Sequence, residues 1–363
     1  MNTYKTRMTK ELNIDRLRNA LNESHYESLI IRSSANIEWA SNFSGSNAWL
    51  FVDKTENYLA TDSRYTTQAE HESKGWKTSI GKRHGVSNIS EIINASATKN
   101  IALLENDISL KEYNQLLNNL NSDKKITVIE DKDDLLIKLR TTKSLEEITK
   151  IEQSAILASD VVEFGINQIQ IGITEIELVH KIETYAKKQG AQKMSFDTIV
   201  ASGSRSAMPH AKPQNEEIRG NSMVLIDLGV YLDGYASDIT RTKWIGQKNE
   251  KFERMYSLVK LAQEMASERC EAGMSGKDAH EIAETVFSEA NIAELFIHGL
   301  GHGVGKEIHE LPYLDKNSDD ILIPGSVITI EPGIYIPGWG GIRIEDMFQV
   351  TDTKLRQITT ANK

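Results

Sequence analysis

Short apolar runs alternate with helical patterns along the first third of the chain. SLIIRS (28–33), WLFVD (49–53), NYLATD (57–62), IALLE (101–105) and ITVIE (126–130) have the length and branched or aromatic content of strands. Between the last two, residues 109–120 predict a helix, because Ser109 and Glu112 form a capping box ahead of Tyr113, Leu116, Leu117 and Leu120 at helical spacing. This alternation predicts an α/β unit of modest size. Beyond the acidic cluster Glu130, Asp131, Asp133 and Asp134 the helical pattern lengthens. Ser144 and Glu147 cap a helix with Ile148, Ile151, Ala155 and Val162 on one face, and Thr174 and Glu177 cap another that stops at Gly190. Two more helical stretches cover roughly 250–270 and 277–290, after a strand-rich segment. The expected division is 1–134 and 135–363, with LLIKLRTTKSLEE as the connection.

Composition narrows the class. A chain of 363 residues with 39% apolar and 26% charged residues is that of an ordinary globular protein of about two domains. Its formal charge of −10 works against a nucleic-acid partner or an anionic membrane surface. The basic start lacks the apolar stretch of a signal peptide and no window approaches a spanning helix, so a cytoplasmic, membrane-free protein is expected. Cys270 has no second cysteine to pair with and reads as a buried or half-buried helical thiol in a reducing compartment. All six prolines lie at or beyond Pro209, which concentrates fixed, irregular loops in the last third. His210, His298, His302 and His309 lie there too, whereas His25, His71, His84, His180 and His280 are scattered singly and read as surface or packing residues.

The chemistry lies in two hairpin patterns. In NSMVLIDLGVYLDGYASDITRT (221–242), Asp233-Gly234 is a two-residue turn signal, which pairs Leu232 with Tyr235 and Asp227 with Thr240. Asp238 then shares a face with Asp227, one diagonal step away. Two carboxylates beside an apolar strand are unfavourable unless a positive species sits between them. In SVITIEPGIYIPGWGGIRIED (326–346), an odd-length loop centred on Gly338 sets Glu331 across from Glu345, and an unpaired glycine or a bulge would shift that register by one. Between the hairpins, FIHGLGHGVGKEIHELPYL (296–314) interleaves His298, His302 and His309 with glycines. Those glycines argue against a helix and the HExxH pattern is absent, so a zinc-protease helix is rejected in favour of backbone packed tightly around a pocket. Four carboxylates and a histidine suit two divalent ions, which would hold a hydroxide as nucleophile, and the chain has no GxSxG elbow or cysteine-protease signature to compete with this.

In order and spacing these residues resemble the pita-bread metallopeptidases: Xaa-Pro aminopeptidases, Xaa-Pro dipeptidases (prolidases) and methionine aminopeptidases. Asp227 in LIDLG, Asp238 in SDITRT, His302 in HGLGHGVG, Glu331 in EPG and Glu345 in GIRIED match the family's five metal ligands. The resemblance implies an α/β (α+β) fold: a small N-terminal creatinase/prolidase-like domain, then a pita-bread catalytic domain. It implies two divalent ions, manganese first, with cobalt, iron and zinc as alternatives. Asp227 would bind one ion, His302 and Glu331 the other, and Asp238 and Glu345 both. His210 in MPHA, His298 and His309 in KEIHE resemble the substrate-side histidines that contact the scissile carbonyl and the tetrahedral intermediate. Arg343 resembles the arginine that orients carboxylates, and Glu331 the proton shuttle. Residues 34–69 look like the N-terminal domain of the proline-specific branch, which methionine aminopeptidases normally lack. The implied substrates are therefore peptides with proline in second position, cleaved by a homodimer. Creatinase shares both domains but has lost the metal ligands. A methionine aminopeptidase-like activity and a non-catalytic peptide- or protein-binding module are the alternatives. Met347 departs from the family, which often has a polar residue there, and the PGWGG loop is short.

Overall fold

The computed structural model describes residues 12–82, 85–130 and 135–363, so His84, Asp131, Asp133 and Asp134 lie outside the described residues. The chain divides into two units, Met1–Arg140 and Thr141–Lys363. The first contains strands β1 (Ser28–Ile31), β2 (Ala48–Asp53), β3 (Asn57–Asp62), β4 (Lys77–Gly81), β5 (Asn100–Leu104) and β6 (Lys125–Ile129), in the sheet order β4-β3-β2-β1-β5-β6. Its helices are α1 (Asn13–Glu23), α2 (Ser34–Ser41), α3 (Thr66–Glu72), α4 (Val86–Ala95), α5 (Leu110–Asn119) and α6 (Leu135–Thr141), the last running up to the division.

Both faces of this sheet are covered, which is why its central strands read as unbroken apolar runs. Leu29, Ile31, Leu50 and Val52 pack with Leu17 and Leu21 of α1 and Trp39 of α2. Ile30, Trp49 and Phe51 point the other way, against Ile89 and Ile93 of α4 and Leu116 of α5. The Ser109–Glu112 capping box starts α5 as its sequence predicts.

The second unit alternates long helices with short, mostly antiparallel strands. Its helices are α7 (Leu145–Asn167), α8 (Glu175–Lys188), α9 (Glu250–Arg269) and α10 (Gly276–Glu289). Capping boxes at Ser144/Glu147 and Thr174/Glu177 start α7 and α8, and Gly190 takes up a φ of 105° just beyond α8. The strands come in two runs. Before α9 lie β7 (Lys193–Met194), β8 (Ile199–Ser202), β9 (Ser222–Leu228), β10 (Val230–Leu232), β11 (Tyr235–Ala236) and β12 (Ile239–Ile245). After α10 follow β13 (Gly301–Gly303), β14 (Glu310–Leu314), β15 (Val327–Ile330), β16 (Gly333–Ile336), β17 (Gly340–Arg343), β18 (Asp346–Val350) and β19 (Leu355–Gln357).

Helices cover one face of each run of strands. Ala158, Val161 and Val162 of α7 and Leu178 and Ile182 of α8 pack on Val224, Ile226, Leu228 and Ile239. Phe252, Val259, Ala262, Ala283 and Phe287 of α9 and α10 pack on Ile328, Ile330, Ile342, Ile344 and Phe348. Strand alternation then dictates what the opposite face carries: Asp227, Thr240, Thr329 and Arg343 are one residue out of phase with those apolar positions. Cys270 is buried at the C-cap of α9, one position past the helix, and burial pushes its thiol up to about 12, so it stays protonated. No helix among the described residues is long and apolar enough to cross a membrane.

Because α7 underlies the β9–β12 sheet, its cap contributes to the stability of the whole second unit. Ser144→Ala removes the acceptor for the Glu147 N–H and is expected to lower unfolding stability by about 1 kcal/mol. A fall in the denaturant midpoint of the second unit's transition at constant m-value would show this, and an unchanged midpoint would contradict it.

Candidate metal centre

Two hairpins build the site, and their registers follow from their turns. Asp233 and Gly234 both adopt positive φ (48° and 75°), as a type I′ turn requires. Leu232 accordingly pairs with Tyr235, and the same register returns at Asp227 with Thr240. Asp238 sits just before β12, on the face of Thr240. The second hairpin turns at Gly338, with φ 77°, and pairs Ile336 with Gly340 and Gly333 with Arg343. Ile330 pairs with Asp346 in the same register, so Glu331 and Glu345 occupy facing positions between the two paired stretches. At that gap the Glu345 N–H donates to Thr240 O at 3.2 Å, which joins the two hairpins.

His302 comes from β13, the glycine-rich stretch. A Cβ on Gly301 would lie 2.1 Å from Thr329 O, and one on Gly303 2.2 Å from Leu311 O. The glycines therefore let β13 enter between β14 and β15 at a separation that side chains would prevent. The His302 backbone N–H donates to Thr329 Oγ1 at 3.0 Å. Its Nδ1 lies 3.0 Å from Gly303 O, an acceptor only, so Nδ1 carries the proton and Nε2 is directed at the carboxylates.

Donor atoms of Asp238, His302 and Glu345, all buried, lie within 4.8 Å of one another. His302 Nε2 is 3.5 Å from Asp238 Oδ2 and 3.4 Å from Glu331 Oε1. Asp227 stands apart from that trio, since its Oδ2 accepts from Arg343 Nη2 at 2.5 Å. Three carboxylate oxygens, Asp227 Oδ1, Asp238 Oδ1 and Glu345 Oε1, are buried without any hydrogen-bond partner. Four acids thus meet one guanidinium. Burial, reinforced by the neighbouring acids, pushes Asp238 and Glu345 well above the carboxylate range. Burial raises Glu331 as well, against the opposing pull of His302 and Arg343. Buried carboxylate oxygens without a donor, crowded by other acids, are what a cation-binding site looks like without its cation. The residues fit divalent metal.

Three supporting groups escaped the sequence reading. Thr240 Oγ1 donates to Glu345 Oε2 at 2.7 Å and accepts from Arg343 Nε at 3.1 Å. Thr329 Oγ1 donates to Glu331 Oε1 at 3.2 Å. Tyr335 Oη accepts from Arg343 Nη1 at 2.6 Å. The signal available was position: Thr240 and Thr329 each lie two residues from an acid on the same strand face. Met347 also finds a use, for its sulfur accepts the Asp238 N–H at 3.2 Å, a group left over where Asp238 precedes the β9–β12 ladder.

The other histidines divide. His309 has its ring centroid 4.3 Å from that of His302, and loss of water around its ring, followed by the neighbouring His302, lowers it to about 4. His298 is half-buried and committed within the protein: Nδ1 donates to Gly299 O at 2.7 Å, and Nε2 lies 3.0 Å from Tyr335 Oη. Burial first, then Arg343, hold it at about 3, so it is neutral and Nε2 accepts the tyrosine hydroxyl proton. His210 is exposed, and its electrostatic effect on His298 and His309 is to lower both. His280, expected to be a packing residue, is buried and stacked on Phe296.

Comparison with known proteins finds similarity over nearly the whole chain. Residues 149–352 match metallopeptidase family M24 and residues 13–141 match the creatinase/prolidase N-terminal domain. The chain is 35% identical over 357 residues to a Xaa-Pro dipeptidase of Pyrococcus furiosus, covering 96% of this chain and 98% of that one. A Xaa-Pro dipeptidase structure from Bacillus anthracis superimposes with a TM-score of 0.92 at 32% identity, over 97% and 98% of the two chains. An X-Pro aminopeptidase structure from Thermotoga maritima gives 0.87 at 32% identity, over 95% and 98%.

The strain between these acids predicts a stability signature. Groups whose pKa is raised by folding contribute stability below the unfolded carboxylate value, and it is lost as pH rises through the folded value. Metal-free protein is therefore expected to be less stable at pH 8 than near pH 5. At pH 8 in chelator, Asp238→Asn should raise Tm, by about 2–4 °C for each kcal/mol of repulsion relieved. A lower Tm in that variant, measured by differential scanning calorimetry, would contradict this reading of the site.

Proposed function

The chain belongs to metallopeptidase family M24, of the prolidase or Xaa-Pro dipeptidase type, and from that premise we propose that it hydrolyses Xaa-Pro dipeptides with two divalent metal ions. The observation that carries the proposal is the set of three buried, unpartnered carboxylate oxygens beside His302 Nε2. Four carboxylates against one guanidinium leave an excess of three negative charges, more than one divalent ion offsets. Asp227, Asp238, His302, Glu331 and Glu345 would hold the ions, with manganese as the metal and cobalt, iron or zinc as alternatives. Such a pair supplies a water deprotonated near neutral pH as the nucleophile.

The chain's own residues do the rest. Arg343 holds Asp227 through Nη2 and is itself fixed by Tyr335 and Thr240, so the carboxylate is oriented before anything binds. Thr240 and Thr329 restrain one oxygen each of Glu345 and Glu331. Glu331, beside His302 Nε2 at 3.4 Å, would accept the proton lost by the attacking water and return it to the departing proline nitrogen. His309, neutral at pH 7, offers an N–H donor to the scissile carbonyl oxygen as negative charge develops there, and we assign His210 the same role. His298 acts differently in our reading: with both ring nitrogens committed, it steadies Tyr335 and through it Arg343. Proline in second position matters because its imide lacks an N–H and restricts the preceding residue, which excludes most peptidases. The preference for dipeptides over longer peptides is supported by the Xaa-Pro dipeptidases among the relatives.

Glu331→Gln keeps the shape and removes the base. It is expected to lower kcat for a Xaa-Pro dipeptide by about 10²–10⁴-fold in protein that remains folded. Near-normal turnover would contradict the assigned role. In the wild type with Mn²⁺, hydrolysis of Xaa-Pro should exceed that of Xaa-Pro-Xaa-Xaa, and the reverse order would assign the chain to the aminopeptidases.

A further inference from the structure

We infer that Glu175 is a positioning residue for the substrate side of the site: one buried carboxylate clamps both ends of the loop that presents His210. Glu175 is the first residue of α8 and fully buried, and nothing in the metal centre uses it. Its two oxygens spread over the loop that joins β8 to the segment before β9. Oε1 accepts from Ser202 N at 2.8 Å and Ser202 Oγ at 3.1 Å, where the loop begins. Oε2 accepts from Gln214 N at 2.9 Å, where it ends. Arg205 Nε donates to both oxygens at 3.2 and 3.1 Å, and its Nη2 reaches Lys212 O at 2.6 Å. The carboxylate therefore accepts from three points along the loop, and through Arg205 it holds a fourth.

A buried negative charge is tolerated here because the N-terminus of α8 and the guanidinium both favour it. The main chain closes the same junction, since Glu175 N donates to Glu216 O at 3.1 Å. Within the clamped loop, His210 lies near enough to bear electrostatically on His298 and His309. The same loop docks on the second hairpin, where Ser206 Oγ accepts from Gly341 N at 2.8 Å, two residues before Arg343. A Cβ on Gly341 would meet Ser206 O at 2.2 Å, so the two backbones are in direct contact. Loss of the clamp frees His210 from a fixed distance to the scissile carbonyl while leaving the five metal-site residues on their own strands.

This inference rests on the reading of His210 as a substrate-side residue, and the test separates the two. Glu175→Gln is compared with wild type by hydrogen exchange and by Xaa-Pro hydrolysis with Mn²⁺, alone and combined with His210→Ala. Exchange should quicken in residues 203–214 and stay unchanged in 298–309, with Mn²⁺ affinity by calorimetry also unchanged. kcat/KM should fall about 10- to 100-fold, chiefly through KM, and Glu175→Gln should add little once His210 is already alanine. A purely structural role would lower Tm and leave KM and the coupling to His210 unmoved, and that result, or unchanged exchange in the loop, overturns the inference. Should Glu175→Gln not fold, Arg205→Gln, at a partly exposed side chain, is expected to show the same pattern more weakly, and its absence would be equally decisive. Failure of the wild type to cleave any Xaa-Pro peptide would refute the proposed function, while the exchange data would still decide the clamp.

Discussion

Like charges forced together in a buried space are the constraint on which the second unit is organised. Asp227, Asp238 and Glu345 are each less than a tenth exposed, and carboxylates crowded together in such surroundings are strongly unfavourable unless positive charge offsets them. The helices and strands around them contribute the compensating energy. Apolar side chains on the outer strand faces pack against four long helices, while the inner faces carry the acids. The fold thus holds a charge arrangement that an unfolded chain would disperse. The sites of greatest local unfavourability are the sites reserved for cations.

Second to this comes restraint of the acids by neutral or cationic neighbours. Arg343 is the pivot: it touches Asp227, Thr240 and Tyr335 at once and comes within 4.0 Å of Glu331. An arginine suits this position because its planar fork serves several acceptors in fixed directions, where a lysine would serve one. Arg241, one position along from Thr240, faces the helices instead and binds Asp346 at 2.7 Å and Glu345 O at 2.6 Å. The strands that carry the site are therefore pinned from both faces.

Much of this was legible in the sequence because it depends on local rules. The Asp233-Gly234 turn sets one register and Gly338 the other, and from two registers the facing of Asp227 with Thr240 and of Glu331 with Glu345 follows arithmetically. The capping boxes at Ser109, Ser144 and Thr174 fix three helix starts for the same reason. Illegible features depended on distant partners. Strand β4 reads Lys-Thr-Ser-Ile-Gly because it lies at a sheet edge and is largely exposed, so it lacks the apolar pattern that marked β1 to β3. The glycine-rich β13 carries no strand propensity, and only the approach of Thr329 and Leu311 explains it. The commitment of His298 to Tyr335, and of Asp227 to Arg343, joins residues 37 and 116 positions apart, beyond what periodicity can report.

The site's chemistry depends on whether the acids gather cations. Equilibrium dialysis of chelator-stripped protein against Mn²⁺, followed by elemental analysis, measures this without reference to any substrate. Two equivalents per chain are expected, with Asp238→Asn falling below two. Wild-type protein that takes up none under saturating Mn²⁺ would show that the carboxylates are accommodated by protonation alone, and the central claim would be wrong.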